Sequence, residues 1–129
     1  MLDQHHPYIR PQENGNKSDV RWVALTNDDG VGLLAVGMPL LDVSAYPFLN
    51  EDFDEGPQKR QRHTTDVRRR DLVTLNLDEK QMGVSGDTSW GARTHPEYTL
   101  PSMEYSCRFR LRPFSRTDAT PAVRSREKF

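Results

Sequence analysis

The sequence lacks the features that mark membrane and disulfide-bonded proteins. Its 129 residues include a single cysteine, Cys107, which excludes a disulfide within the chain and a cysteine-based zinc site. No apolar run approaches the length that a membrane-spanning helix needs, so we expect no membrane partner. The opening stretch MLDQHHPYIR has neither a basic nor an apolar region, so we expect no signal peptide.

A strong charge of either sign is also missing. Lysine and arginine number 18 and aspartate and glutamate 19, which gives a formal net charge of −1. Since no long-range positive field is present, we expect no nucleic-acid partner. Hydrophobic residues make up 34% of the chain, so the core of a single domain would be small.

The first half of the chain predicts antiparallel strands. VRWVALTN (20–27) and VGLLAVGM (31–38) are mostly apolar and flank the turn sequence Asn27–Gly30. Asp-Gly tolerates the positive φ of a tight turn, so these two stretches predict a hairpin. Pro39 should interrupt the ladder, because proline cannot donate a hydrogen bond, and LLDVSAY (40–46) resumes the strand pattern.

The middle of the chain carries acidic residues first and basic residues last. This order complements a helix dipole and predicts a short helix that begins near Gly56 or Pro57. A calcium loop starting at Asn50 is an alternative, but Glu55 stands where such a loop needs glycine. The basic run 59–70 is a second alternative as a phosphate site, but no aromatic residue interrupts it. We favour a solvated helical face.

Two further stretches alternate in polarity and predict strands, LVTLNLD (72–78) and EYSCRFRLRPF (104–114). The second predicts a buried face formed by Tyr105, Cys107, Phe109 and Leu111, with Ser106, Arg108, Arg110 and Arg112 in solvent. The remaining polar residues, 115–129, show no periodicity and predict a flexible tail. The fold class is therefore all-β, with antiparallel strands and one short helix.

No catalytic constellation can be recognised. The 19 carboxylates show no spacing that marks an acid/base pair, and the four histidines lack metal-ligand spacing. Trp90, which ends the stretch QMGVSGDTSW (81–90), is either a core residue under a loop or a platform for a sugar ring. As a platform it should be exposed, with Trp22 buried in the sheet. Asp87 and Ser89 should then hold the turn by bonding its backbone amides.

Four ordered segments carry a family resemblance. RPQENGNKSDVRW, GLLAVGMPLLDVSAYPF, LVTLNLDEKQMGVSGDTSWGARTHPEY and YSCRFRLRP resemble the C-terminal domain of the large β-galactosidases of glycoside hydrolase family two. The resemblance implies a β-supersandwich similar to galactose mutarotase, of which residues 7–114 would form the C-terminal half. Residues 1–6 would be a disordered or vestigial start and 115–129 the tail.

The resemblance also implies a function and its partners. The family's catalytic TIM barrel lies upstream and has no counterpart here, so the chain would be a non-catalytic fragment or subunit of a retaining β-galactosidase acting on β-D-galactosides such as lactose. The expected partners are that barrel, a galactoside and other copies of the chain. No cofactor is expected here, because the family's Mg and Na are bound by other domains. We expect a cytoplasmic location, and a periplasmic parent enzyme stays open.

One substrate contact follows from the resemblance. Trp90 would reach the active-site mouth and pack against the sugar, on a loop shaped by Gly83, Gly86, Asp87 and Ser89. Ser85 departs from the family, which usually has glycine there. A free-standing carbohydrate-binding module that uses Trp90 is the second hypothesis, and a truncated reading frame without activity is the third.

Overall fold

The fold is one antiparallel sheet with a short helix. The computed structural model describes residues 15–53, 57, 63–84, 86–88, 90–117 and 119–128. Within these ranges the elements are β1 (Lys17–Thr26), β2 (Val31–Tyr46), β3 (Thr74–Asp78), β4 (Phe109–Ser115) and α1 (Pro121–Ser125), with short 3-10 helices at Asn50–Phe53 and Pro96–Tyr98. β2 pairs antiparallel with each of the other strands. The predicted all-β class, with antiparallel strands and one short helix, is confirmed.

The turn between β1 and β2 forms where the sequence predicts it. The Asn27 backbone amide donates to the Val31 carbonyl at 2.9 Å, and the Gly30 amide donates to the Asn27 carbonyl at 3.0 Å. The Asn27 side-chain oxygen also accepts a bond from the Val31 amide at 2.9 Å. Gly30 has a φ of 79°, a backbone angle that residue types other than glycine rarely adopt.

β2 continues through Pro39, although its pairing with β1 is interrupted there. Val20 faces Leu41 while Trp22 faces Val36, so the register with β1 breaks around the proline. The predicted interruption of the ladder is therefore confirmed, whereas the strand itself runs on. As a result, the first half of β2 pairs with β4 and its second half with β3.

The predicted orientation of the last strand is wrong. β4 starts only at Phe109, so Tyr105 and Cys107 precede it, and both are exposed. Phe109 and Leu111 are 42% and 50% exposed rather than buried. The buried side chain of β4 is Phe114, which joins a hydrophobic cluster with Leu34 and Val36; Trp22 and Ala24 pack against it.

The arginines on this same face are covered by the C-terminal segment, which we define as residues 119–128. Arg110 donates to the backbone carbonyls of Glu127 at 2.7 Å and Ser125 at 3.1 Å. Arg112 bonds the Glu127 carboxylate. A long arginine stem can lie on apolar surface while its head group reaches polar partners, which explains how the predicted solvent face points inward.

The C-terminal segment itself contains α1. Pro121 stands at the start of the helix, and the Thr120 hydroxyl accepts a bond from the Val123 amide at 3.4 Å. The prediction of irregular chain after residue 114 is therefore wrong at Pro121–Ser125. The domain boundaries at 7, 114 and 115 stay a prediction.

The short helix predicted in the middle of the chain is absent from residues 63–70. These residues form a turn at 64–66 followed by irregular chain. The Arg70 guanidinium donates two hydrogen bonds to the Asp52 carboxylate, of 2.5 and 2.6 Å. Residues 54–56 and 58–62, where the helix would begin, lie outside the described residues. The basic run thus contributes an ion pair that anchors the connection to the 3-10 helix Asn50–Phe53.

One face of the sheet is apolar across three strands. The register places Val23 beside Ala35 and Ala35 beside Leu111, so the odd-numbered residues share a side over 22–26 of β1, 31–37 of β2 and all of β4. Val31 is 53% exposed there and Leu111 50%. We call this side the apolar face. It consists of Val23, Leu25, Val31, Leu33, Ala35, Gly37, Phe109, Leu111, Pro113 and Ser115.

No helix in the described part of the chain is both long enough and apolar enough to cross a membrane.

Candidate functional site

The loop that follows β3 is closed at its base by hydrogen bonds. The Gly83 amide donates to the Tyr98 carbonyl at 2.9 Å. The Thr94 hydroxyl donates to the Gly83 carbonyl at 2.8 Å. The short 3-10 helix Pro96–Tyr98 ends the loop, and Pro96 fits its first turn because proline has no amide to leave unpaired. The two arms of the loop are therefore tied to each other.

A second tie lies closer to the tip. The Gly86 amide donates to the Ala92 carbonyl at 3.1 Å. A Cβ atom at Gly86 would lie 2.2 Å from the Arg93 carbonyl oxygen, so a larger residue would push the two arms apart. At Gly83 an added Cβ would meet the Thr94 methyl group at 2.8 Å. Both predicted loop-shaping glycines thus stand where the arms run closest.

The tip of the loop presents Trp90 to solvent. Trp90 is 94% exposed, and Gly91 beside it has a φ of 131°. Such a φ strains any residue with a Cβ, so glycine permits the chain to turn back directly after the indole. The exposure of Trp90 agrees with the prediction, and its contact with a sugar stays a prediction.

Asp87 bonds a side chain on the opposite arm of the loop. Its carboxylate lies 2.8 Å from Nε2 of His95, and the two side chains are 82% and 49% exposed. The imidazole is thus one partner of Asp87, and the prediction that Asp87 bonds the loop's backbone amides stays a prediction. Ser89, which carried the same prediction, and Ser85 lie outside the described residues. The sequence offers no signal for this partnership, since the two residues are separated by the whole tip.

The other tryptophan occupies a different environment. Trp22 is half-buried and packs against the cluster of Leu34, Val36 and Phe114. The sequence predicts that Trp22 is buried in the sheet; it packs there, but β1 is an edge strand and leaves part of the indole uncovered. The two tryptophans therefore differ in environment, since Trp22 packs against the sheet and Trp90 projects from a loop into solvent.

The surroundings of the loop include an open cleft. An open cleft of about 790 Å³ lies at the loop base, lined by Met82, Gly83, Val84, Ala92, Arg93, Thr94, Pro96, Thr99 and Pro101. Trp90 is not among these residues, so the indole does not line the cleft. Among the described residues, no group of three or more His, Cys, Asp or Glu could hold a metal ion.

Comparison with known proteins places the chain among β-galactosidases. A family model described as beta galactosidase small chain matches residues 1–111. A β-galactosidase of Priestia megaterium is 43% identical over 114 residues, which cover 88% of this chain and 10% of that protein. β-Galactosidase BgaC of Bifidobacterium adolescentis is 34% identical over 78% of this chain, and a Vibrio cholerae β-galactosidase is 32% identical over 84%. The match spans only 9% of each of these two proteins.

Proposed function

Because this chain belongs to the β-galactosidase small-chain family, we propose that it is the non-catalytic C-terminal part of a β-galactosidase and places Trp90 in a composite active site. The observation that carries this proposal is the exposure of Trp90, 94%, at the tip of a loop whose arms are tied together. The substrate would be a terminal β-D-galactoside such as lactose.

An indole as exposed as Trp90 is free to contact a partner from outside the described residues. Tryptophan is usually well buried, since its side chain offers some 150–250 Å² of largely apolar surface. The face of an indole matches the C–H groups of a pyranose ring, while polar neighbours fix the hydroxyls. Aromatic side chains in ligand sites commonly combine these two kinds of contact. A sugar ring is therefore the partner that we assign to Trp90.

The remaining parts of the active site would come from other polypeptide. Glycoside hydrolysis by the usual mechanism needs two facing carboxylates, one of them with a raised pKa. The chain spans about a tenth of the length of the curated relatives it matches, so most of each relative has no counterpart here. We assign the catalytic pair to that larger portion.

The apolar face is where this larger portion would dock. The residues of the face are uncharged, with the charged Arg21 two residues before Val23 on the same strand, and Val31 and Leu111 are each about half exposed. A sheet with such a face is ordinarily covered by a second layer about 10 Å away. The occupant that we propose is a layer of the larger β-galactosidase portion, since the relatives carry nine-tenths of their length outside the matched segment.

The test mixes this chain with the Priestia megaterium relative from which the matching segment has been deleted; we call the product the complemented enzyme. We expect neither part to hydrolyse a chromogenic galactoside alone and the mixture to do so. Trp90→Ala should lower kcat/KM of the complemented enzyme by about 1–3 kcal/mol equivalent. The melting temperature of the chain should stay nearly unchanged, because the indole buries little surface in it.

Trp22→Ala is the matched control. It removes a packed indole and should cost about 2–4 kcal/mol of stability, with any loss of activity following from unfolding. If Trp90→Ala melts the chain as badly as Trp22→Ala, the loop tryptophan is a core residue. Turnover by the pure chain, abolished by changing one of its carboxylates, would contradict the non-catalytic assignment. Binding of galactoside to the chain alone, lost in Trp90→Ala, would instead favour a free-standing carbohydrate-binding module.

A further inference from the structure

The tip of the Trp90 loop is crossed by one side-chain contact among the described residues. Asp87 lies three residues before Trp90 and His95 five residues after it, and their Oδ1 and Nε2 atoms are 2.8 Å apart. On the second arm His95 lies between Ala92 and Tyr98, whose carbonyls accept the backbone bonds from Gly86 and Gly83. The imidazole and the carboxylate therefore add a side-chain bridge between the two arms to these backbone bonds.

We propose that Asp87 and His95 are positioning residues that fix the direction of Trp90, an inference that rests on the proposed sugar contact. With 94% exposure, the indole has almost no packing of its own to hold it. Gly91 follows directly, and glycine restrains the backbone less than any other residue. The direction of the indole thus depends on how the two arms are held, and the bond between Asp87 and His95 adds a side-chain restraint to the backbone bonds that hold them.

The physical effect is preorganisation. A turn that samples several directions must be ordered when a ligand binds, and the lost freedom weakens affinity. A bond across the arms removes that freedom before binding. Its contribution should therefore appear in KM rather than in kcat, because neither residue is placed against the reacting atoms. Since an exposed pair contributes little, we expect His95→Ala to raise KM of the complemented enzyme about two- to fivefold.

A conservative variant and a control separate positioning from general damage. His95→Gln retains a side-chain N–H donor and should restore KM to near the unmodified value. His63→Ala removes another exposed histidine, one whose backbone amide rather than its ring bonds Asp66, and should leave KM unchanged. In a Trp90→Ala background, His95→Ala should have no further effect on KM, because residues that act through one another are not additive.

A measurement without catalysis tests the same inference independently. The chain has two tryptophans, so Trp22→Phe leaves Trp90 as the single indole emitter. His95→Ala in that background should speed the decay of the Trp90 fluorescence anisotropy, and His95→Gln should restore it. An unchanged decay would overturn the positioning role, as would an unchanged KM in an enzyme that is sensitive to Trp90→Ala. If Trp90→Ala leaves KM unaltered while the anisotropy responds, the sugar contact fails and the positioning role stands.

Discussion

Glu127 joins the C-terminal segment to the sheet. Its carboxylate accepts bonds from Arg124, at 2.7 Å, and from Arg112 on β4. Both bonds hold the pKa of the Glu127 carboxyl below its usual value, and the bond from Arg124 has the larger effect. A group whose pKa is lowered on folding stabilises the fold at pH values above its unfolded pKa, about 4.3 for glutamate. That contribution is lost as the pH falls through the lower folded value.

We therefore expect Glu127→Gln to lower the melting temperature at pH 6 to 7 but to have little effect well below pH 4, since the unmodified carboxyl is then protonated as well. Thermal scans of both chains across this pH range provide the measurement. Other acidic groups titrate in both chains alike, so the difference between the two curves isolates Glu127. A difference that persists unchanged into strong acid would show that the ion pairs contribute nothing to stability.

β4 shows how an element can be predicted correctly and oriented wrongly. Its alternation of arginines and apolar residues suggests that Phe109 and Leu111 point to the core. The register places Arg110 beside Val36 and Arg112 beside Leu34 instead, on the side of Phe114. This side faces the core because Phe114, at 4% exposure, packs into the hydrophobic cluster. The C-terminal segment supplies the arginines on the same side with carbonyl and carboxylate partners.

The orientation of β4 predicts unequal costs for two truncations on the same strand. Phe114→Ala should destabilise the isolated chain by about 3–5 kcal/mol, because it leaves a cavity among buried side chains. Leu111→Ala, at a half-exposed position, should cost about 1 kcal/mol or less. Urea unfolding of the two variants gives both values. Equal losses would mean that the apolar face is covered within the isolated chain.

At the scale of the whole molecule, the C-terminal segment covers one side of the sheet, while the other side leaves Val31, Phe109 and Leu111 exposed around a buried Ala35. The C-terminal segment lies over the side that carries Arg110 and Phe114, whereas the apolar face presents partly exposed valine, leucine and phenylalanine. Exposed apolar patches on this scale mark interaction sites or cause aggregation. We therefore expect the isolated chain to be marginally stable and to self-associate, and the larger β-galactosidase portion to compete with that association.

Two valines of nearly equal exposure test the docking side. Val31 on the apolar face is 53% exposed and Val123 on α1 is 55% exposed. Val31→Lys should weaken complementation at least tenfold and reduce self-association, because docking would bury an unpaired ammonium group. Val123→Lys should change neither. Titration of the truncated partner and sedimentation velocity provide the two measurements. Equal effects of the two substitutions would locate docking elsewhere.

The sequence by itself determined the features that depend on neighbouring residues. Asn27 and Gly30 specify the turn because their bonds and backbone angles are local, and Pro39 breaks pairing because it has no amide to donate. The alternation of apolar and polar residues in 74–78 predicted β3, because alternation is also a property of neighbouring residues. The ordered segments from residue 7 to 113 also carried the family resemblance, since long motifs identify relatives without any knowledge of the packing.

The tertiary structure alone decided which partner each side chain finds. Alternation fixes that β4 has two unlike faces, but not which of them meets the core. That depends on Phe114 and on a C-terminal segment whose periodicity is too short to reveal a helix. Asp87 and His95 likewise meet only because bonds at Gly83 and Gly86 fold the loop back on itself. These outcomes arise from contacts between residues distant in sequence, whose free energies depend on what else packs nearby, and local pattern contains no record of them.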